Sequence, residues 1–149
     1  MSYRLRNLGY KSVEEITQEL LSLPATETAL DLSNNNLGLK TAAELTLIFA
    51  AIPAWITSLN LNNNALGKKL GVELAQAFSS LGLSVSFLYL NNNELDDEKI
   101  FEIIKAFTSR RPVIMLGHFT AFYNPVFFDH QPVLQPATQL LNTSTFGLR

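Results

Sequence analysis

The chain has 149 residues, 47% hydrophobic and 16% charged, which suits one globular domain with a core and excludes a disordered segment. A formal net charge of −2 gives no basic footprint for nucleic acid. With no cysteine there are no disulfides, thiolate metal sites or cysteine nucleophiles, a composition that suits a reducing compartment.

In chain order, the opening MSYRLRNLGYKSVEE has no apolar run behind its arginines, so no cleaved secretory signal is expected. No stretch reaches the roughly 18–20 apolar residues of a membrane span. A short strand is predicted around Tyr3. Ser12-x-x-Glu15 reads as a capping box opening a helix that carries Ile16 and Leu20, and Pro24 prevents its continuation. The segment LDLSNNNLG, from Leu30, begins as a strand. Thr41-x-x-Glu44 opens a second helix with Leu45 and Phe49, closed by Pro53. Ile56–Leu61 alternates with period two and runs into LNLNNNALG; Leu70, Leu74, Ala77 and Phe78 then form one helical stripe. LYLNNNELD, from Leu88, precedes a richer stripe of Ile100, Phe101, Ile103, Ile104 and Phe107, and a further strand is predicted at Val113–Phe119.

These elements repeat. Asn35, Asn64 and Asn93 are separated by 29 residues, as are Leu30, Leu59 and Leu88, and Leu37, Leu66 and Leu95. The step carries Leu37-Gly38 back onto Leu8-Gly9, and carries Leu74 and Phe78 forward onto Ile103 and Phe107. Four units are expected, with four parallel strands and four helices. Each strand must turn inward toward its helix and leaves backbone polar groups where water does not reach. An asparagine amide offers both donors and an acceptor. Asn35, Asn64 and Asn93 are therefore expected to be structural, bonding the turn of their own unit and the next. The remaining asparagines of the trios are expected to face solvent or a partner.

A strand–turn–helix repeat with the pattern LxLxxNxL resembles the leucine-rich repeat family. The 29-residue step and LGKKLGVELAQAF at residues 66–78 resemble its ribonuclease-inhibitor-like subclass. The resemblance implies an α/β solenoid, a short curved arc with parallel strands on the concave face and helices on the convex face. Strand spacing of about 4.8 Å against helix spacing of about 8–10 Å explains the curvature. Residues 1–119 are expected to form the repeat domain, and residues 120–149 an aromatic C-terminal cap and tail.

Outward positions of the strands form columns at the 29-residue step. The first column is Ala29, Ser58, Phe87 and Leu116; the second is Asp31, Asn60, Tyr89 and His118; the third is Ser33, Asn62, Asn91 and Thr120. The candidate partner-binding residues are Phe87, Tyr89, Leu116, His118, Asp31, Asn60, Asn62 and Asn91. Nothing in the repeat requires aromatics at Phe87 and Tyr89, and large rigid side chains are common interface anchors. Burial of these rings beneath the tail is the competing reading. The tail carries FTAFYNPVFF at residues 119–128, which reads as a cover for the open end of the solenoid or as a second binding segment.

Catalytic and cofactor patterns are missing: the two histidines, His118 and His130, make neither a zinc set nor a triad, and no phosphate loop or GxGxxG occurs. No enzyme activity, cofactor or metal is expected. The expected function is protein–protein interaction. The asparagine-rich repeats resemble those of effectors that intracellular bacteria deliver into host cells, which implies a host protein as partner and a cytoplasmic or host-delivered location. Regulation of a small GTPase, with Arg110-Arg111 as candidate groups, and adaptation within the protein's own cell are the alternatives.

Overall fold

The computed structural model of the protein describes residues 2–107, 112–117, 119–122 and 133–136. Strands and helices alternate: β1 Tyr3–Arg4, α1 Val13–Leu21, β2 Ala29–Asp31, α2 Ala42–Ala50, β3 Ser58–Asn60, α3 Gly71–Ser79, β4 Phe87–Tyr89, α4 Asp97–Lys105 and β5 Val113–Leu116. Two further strands follow, β6 Phe119–Phe122 and β7 Val133–Pro136. Among the described residues the sheet has seven strands in sequence order. The first five are parallel, one more than the sequence suggests, because the short β1 pairs with β2. The last two are antiparallel. The result is an α/β repeat arc with its helices on one side of the sheet.

Local chemistry accounts for the helices. Ser12 and Thr41 accept from the N–H groups of Glu15 and Glu44, whose carboxylates accept in return from Ser12 and Thr41 N–H at 2.7 Å each. Those backbone hydrogen bonds, together with the cap hydroxyls, hold the Glu15 and Glu44 carboxyls below the usual glutamate range. In α3 the glutamate half of the box survives alone, with Leu70 N–H donating to Glu73. Asp96 caps α4 by accepting from Lys99 N–H, which holds its carboxyl below the usual aspartate range.

The core lies between sheet and helices. Leu30, Leu59, Leu88 and Ile114 enter it from successive strands. Phe49, Phe78 and Phe107 form an aromatic run, with ring centroids 5.1 and 6.2 Å apart. Before each of the first three helices the chain makes a 3₁₀ turn, at Leu8–Tyr10, Leu37–Leu39 and Leu66–Lys68. Adjacent turns nearly touch. A Cβ on Gly38 would lie 2.3 Å from the Ala65 carbonyl oxygen, and one on Gly67 would lie 2.1 Å from that of Glu94. Only glycine permits this approach.

The fourth unit departs from the 29-residue step. It has no 3₁₀ turn, and α4 starts 26 residues after α3, at Asp97 rather than three residues later. The register of β4 against β5, Phe87↔Val113, shows the same 26-residue step. The residues lost correspond to Gly67–Lys69, between Leu95 and Asp96. Leu74 and Phe78 therefore correspond along the helix to Ile100 and Ile104, not to Ile103 and Phe107; the Phe107 ring reaches Phe78 from one position beyond the cap. The last parallel strand also stops at Leu116, not at Phe119. Gly117, at φ 73°, turns the chain back into β6, a conformation that favours glycine.

Candidate partner face and the asparagine ladder

The inward turn after each strand is built around one asparagine. Asn35, Asn64 and Asn93 are 1%, 1% and 2% exposed, and every one of them is bonded to backbone. Asn64 Oδ1 accepts from the N–H groups of Asn35 and Leu37, at 2.9 and 3.3 Å. Its Nδ2 donates to the carbonyls of Leu32, Leu61 and Asn62. Asn93 repeats the pattern one unit on, accepting from Asn64 and Leu66 N–H at 2.9 and 3.3 Å and donating to Leu61, Leu90 and Asn91. Asn35 accepts from Leu8 N–H and donates to Leu5 and Ser33. The ladder thus runs backward: each amide serves its own unit and the preceding one, not the next. The donors must come from the earlier unit because each turn presents its N–H groups toward the strand that follows it in the sheet.

The other asparagines of the trios have work that the sequence reading did not give them. Asn34, Asn63 and Asn92 adopt left-handed backbone at φ 57°, 57° and 56°, where asparagine is favoured over most residues. A second left-handed position follows two residues later, occupied by Asn36, Ala65 and Glu94, with Asn7 as its counterpart in the first unit. Lys11, Lys40 and Lys69 also form a series at the 29-residue step. Lys40 Nζ donates to the Lys11 carbonyl and Lys69 Nζ to that of Gly38, so each lysine ties its unit to the one before.

On the outer face of the sheet the candidate residues fall into two groups. Asp31 and Asn60 use their side-chain oxygens on the N–H two residues ahead, Ser33 and Asn62, at 3.0 Å each. Asp31 also pairs with Arg4 at 3.1 Å. Asn62 Oδ1 accepts from Asn91 N–H at 2.7 Å, and Asn91 Oδ1 accepts from Gly117 N–H. These four residues shape the strand ends as well as lining the face. Phe87, by contrast, is 46% exposed, and Tyr89 beside it is half-buried.

The shortened fourth unit changes the ends of all three columns, the third ending at Gly117 and not at Thr120. Val113 and Met115, not Leu116 and His118, lie beside Phe87 and Tyr89. Leu116 falls in the series of Leu32, Leu61 and Leu90, and packs against the core. It is thus displaced from the outward column assigned to it. His118 lies outside the described residues, as do the side chains of the tail aromatics and Arg110-Arg111. Among the described residues no group of three or more histidine, cysteine, aspartate or glutamate side chains lies together, and no helix is long and apolar enough to cross a membrane.

No family model matches the chain, and no curated protein does. Among solved structures it is similar to the leucine-rich repeat-containing protein LegL7 from Legionella pneumophila, with 31% sequence identity and a TM-score of 0.70. The fold is that of a leucine-rich repeat. The match covers 78% of this chain and 38% of that one, so the chain spans well under half the length of LegL7. In leucine-rich repeat terms, the leucines of each strand are the inward positions, Asn35, Asn64 and Asn93 are the ladder positions, and Phe87 and Tyr89 are additions to the sheet face.

Proposed function

We propose that this leucine-rich repeat is a non-catalytic protein-interaction module that binds a protein partner through the outer face of its sheet. The observation that carries the reading is the exposed Phe87 beside Tyr89, flanked by Val113 and Met115 and bordered by the carboxamides of Asn60, Asn62 and Asn91. Aromatic and aliphatic anchors surrounded by fixed polar groups have the makeup of a binding hot spot. The finer reading is a ribonuclease-inhibitor-like repeat delivered by a bacterium into a host cell, with a host protein as partner. The asparagine-rich repeats and the likeness to a Legionella pneumophila protein support it.

The test uses the full chain and its Tyr89→Ala and Phe87→Ala variants as baits in host-cell lysate. Partners retained by the parent chain are then measured one by one. The expected result is weakening by about 2 kcal/mol or more for a hot-spot aromatic, with nearly unchanged melting temperature. Binding that persists while stability drops would make the rings packing elements and move the interface elsewhere.

A further inference from the structure

Each rung of the asparagine ladder fills three backbone positions of the unit before it. Asn64 takes the N–H groups of Asn35 and Leu37 and gives a hydrogen bond to the Leu32 carbonyl at 2.9 Å. Asn93 takes those of Asn64 and Leu66 and gives one to Leu61, also at 2.9 Å. The matching set in the fourth unit is the N–H of Asn93, the N–H of Leu95 and the carbonyl of Leu90. Among the described residues, no acceptor meets those two N–H groups. The Leu90 carbonyl carries the donation from Asn93 of its own unit, whereas Leu61 receives two such amides. The local backbone is unchanged at this point, since Glu94 keeps the left-handed φ of 58° seen at Ala65 and Asn36. The three residues lost from the unit fall beyond Leu95.

These groups face a cleft of about 370 Å³ lined by Leu90, Leu95 and Leu116 on its apolar side and by Glu94 and Asp97 at its rim. The chain's own series brings no asparagine here. Steps of 26 and 29 residues from Asn93 fall on Phe119 and Phe122. Nor does the opposite end of a second copy fit, because the residue 29 before Asn35 is Arg6, which is cationic and has no acceptor.

We propose that this end of the ladder is a carboxamide-binding site that takes the asparagine side chain of a leucine-flanked turn on another polypeptide. Two converging N–H groups call for one acceptor oxygen, and the neighbouring carbonyl calls for a donor. A primary amide supplies both. The acidic rim disfavours a carboxylate, so an aspartate in the same turn is rejected. The site is separate from the sheet face bearing Phe87 and Tyr89, and gives the module a second, end-on contact.

The experiment is a titration of the isotope-labelled full chain, followed by NMR, with the peptide LNLNNNALG, a copy of residues 59–67. Two control peptides carry alanine or aspartate in place of the sixth residue. The amide resonances of Asn93 and Leu95 are expected to move with the asparagine peptide, which should bind at least tenfold more tightly than either control. Glu94→Gln combined with Asp97→Asn should narrow the gap between the asparagine and aspartate peptides several-fold. Three results would overturn the proposal: equal response to the three peptides; no response at Asn93 and Leu95 up to millimolar peptide; or, in the free chain, exchange protection at those amides as strong as at Asn64 and Leu66, which would mean that the chain closes its own ladder.

Discussion

The second and third units differ from the fourth by three residues, and the difference reaches well beyond the loop that lost them. In the second and third, the 3₁₀ turns pack through Gly38 and Gly67, Lys40 and Lys69 each tie back to the unit before, and every ladder donor is met. The fourth unit has neither 3₁₀ turn nor a lysine in that series, the counterpart of Lys69 being one of the three residues it lacks. Its main-chain donors are left at a cleft, and the sheet continues by reversing direction at Gly117. A repeat is therefore held to its neighbour by backbone-directed bonds as well as by its leucines. Where those bonds stop, the architecture changes.

The largest expected effect follows from that change. β6 and β7 cover the edge of β5, which carries the buried Ile114. A chain ending at Gly117 would expose this edge as a template for further pairing. It is expected to aggregate or to lose cooperative unfolding. A chain ending at Pro136 retains both strands and is expected to unfold in urea close to the full-length midpoint. Equal midpoints for all three chains, with no concentration-dependent light scattering, would show that the parallel part stands without its antiparallel cover.

Next in size is the ladder itself. Asn64→Ala would strand the N–H groups of Asn35 and Leu37 in a buried turn, at about 1–3 kcal/mol per group. A loss of about 3 kcal/mol or more is expected in urea unfolding. Asn63→Ala, one residue away, removes no side-chain rung and should cost much less. If the two variants cost the same, the comparison between complete and open rungs loses its energetic basis.

Gly38→Ala is expected to cost about 1–3 kcal/mol, as overpacking does when backbone must move, because the added carbon meets the Ala65 carbonyl at 2.3 Å. Gly82→Ala is the contrast: its nearest neighbour is Ser84 Oγ at 3.8 Å, so little change is expected. Thermal melts of the pair read this directly. A similar loss at both sites would assign the effect to glycine's conformational freedom and not to the approach of neighbouring turns.

Most of the regular part was legible in the sequence because its signals reinforce one another. The leucines, the ladder asparagines and the capping boxes all recur at one step. The fourth unit was misread because its signals are degenerate. Asn93-Glu94-Leu95 keeps the spacing of the earlier turns, and a stripe as rich as Ile100, Ile103, Ile104 and Phe107 fits a helix at either offset. That ambiguity displaced Leu116 from the core series into the outward column. Asn34, Asn63 and Asn92 are exposed, as expected, but their left-handed backbone was not legible, because exposure and positive φ both select asparagine. Only the dihedral angle tells them apart.

The smallest expected effect separates the units by backbone strain alone. The second left-handed position holds Asn36 in one unit, Ala65 in the next and Glu94 in the last, at φ 54°, 53° and 58°. A side chain in this region meets its own carbonyl, and asparagine tolerates the conformation better than alanine or glutamate. Ala65→Asn and Glu94→Asn are each expected to stabilise the chain by about 0.5–1 kcal/mol, read as a rise of a few degrees in melting temperature. Asn36→Ala should cost a similar amount. The carbonyls of both pack against a glycine of the unit before, Gly38 and Gly67, but Ala65 is half-buried, whereas Glu94 is exposed at the cleft. Equal gains at both would make the strain a property of the position in every unit. A gain at Glu94 alone would show that burial already holds Ala65 in place, and that strain matters only where the side chain is exposed.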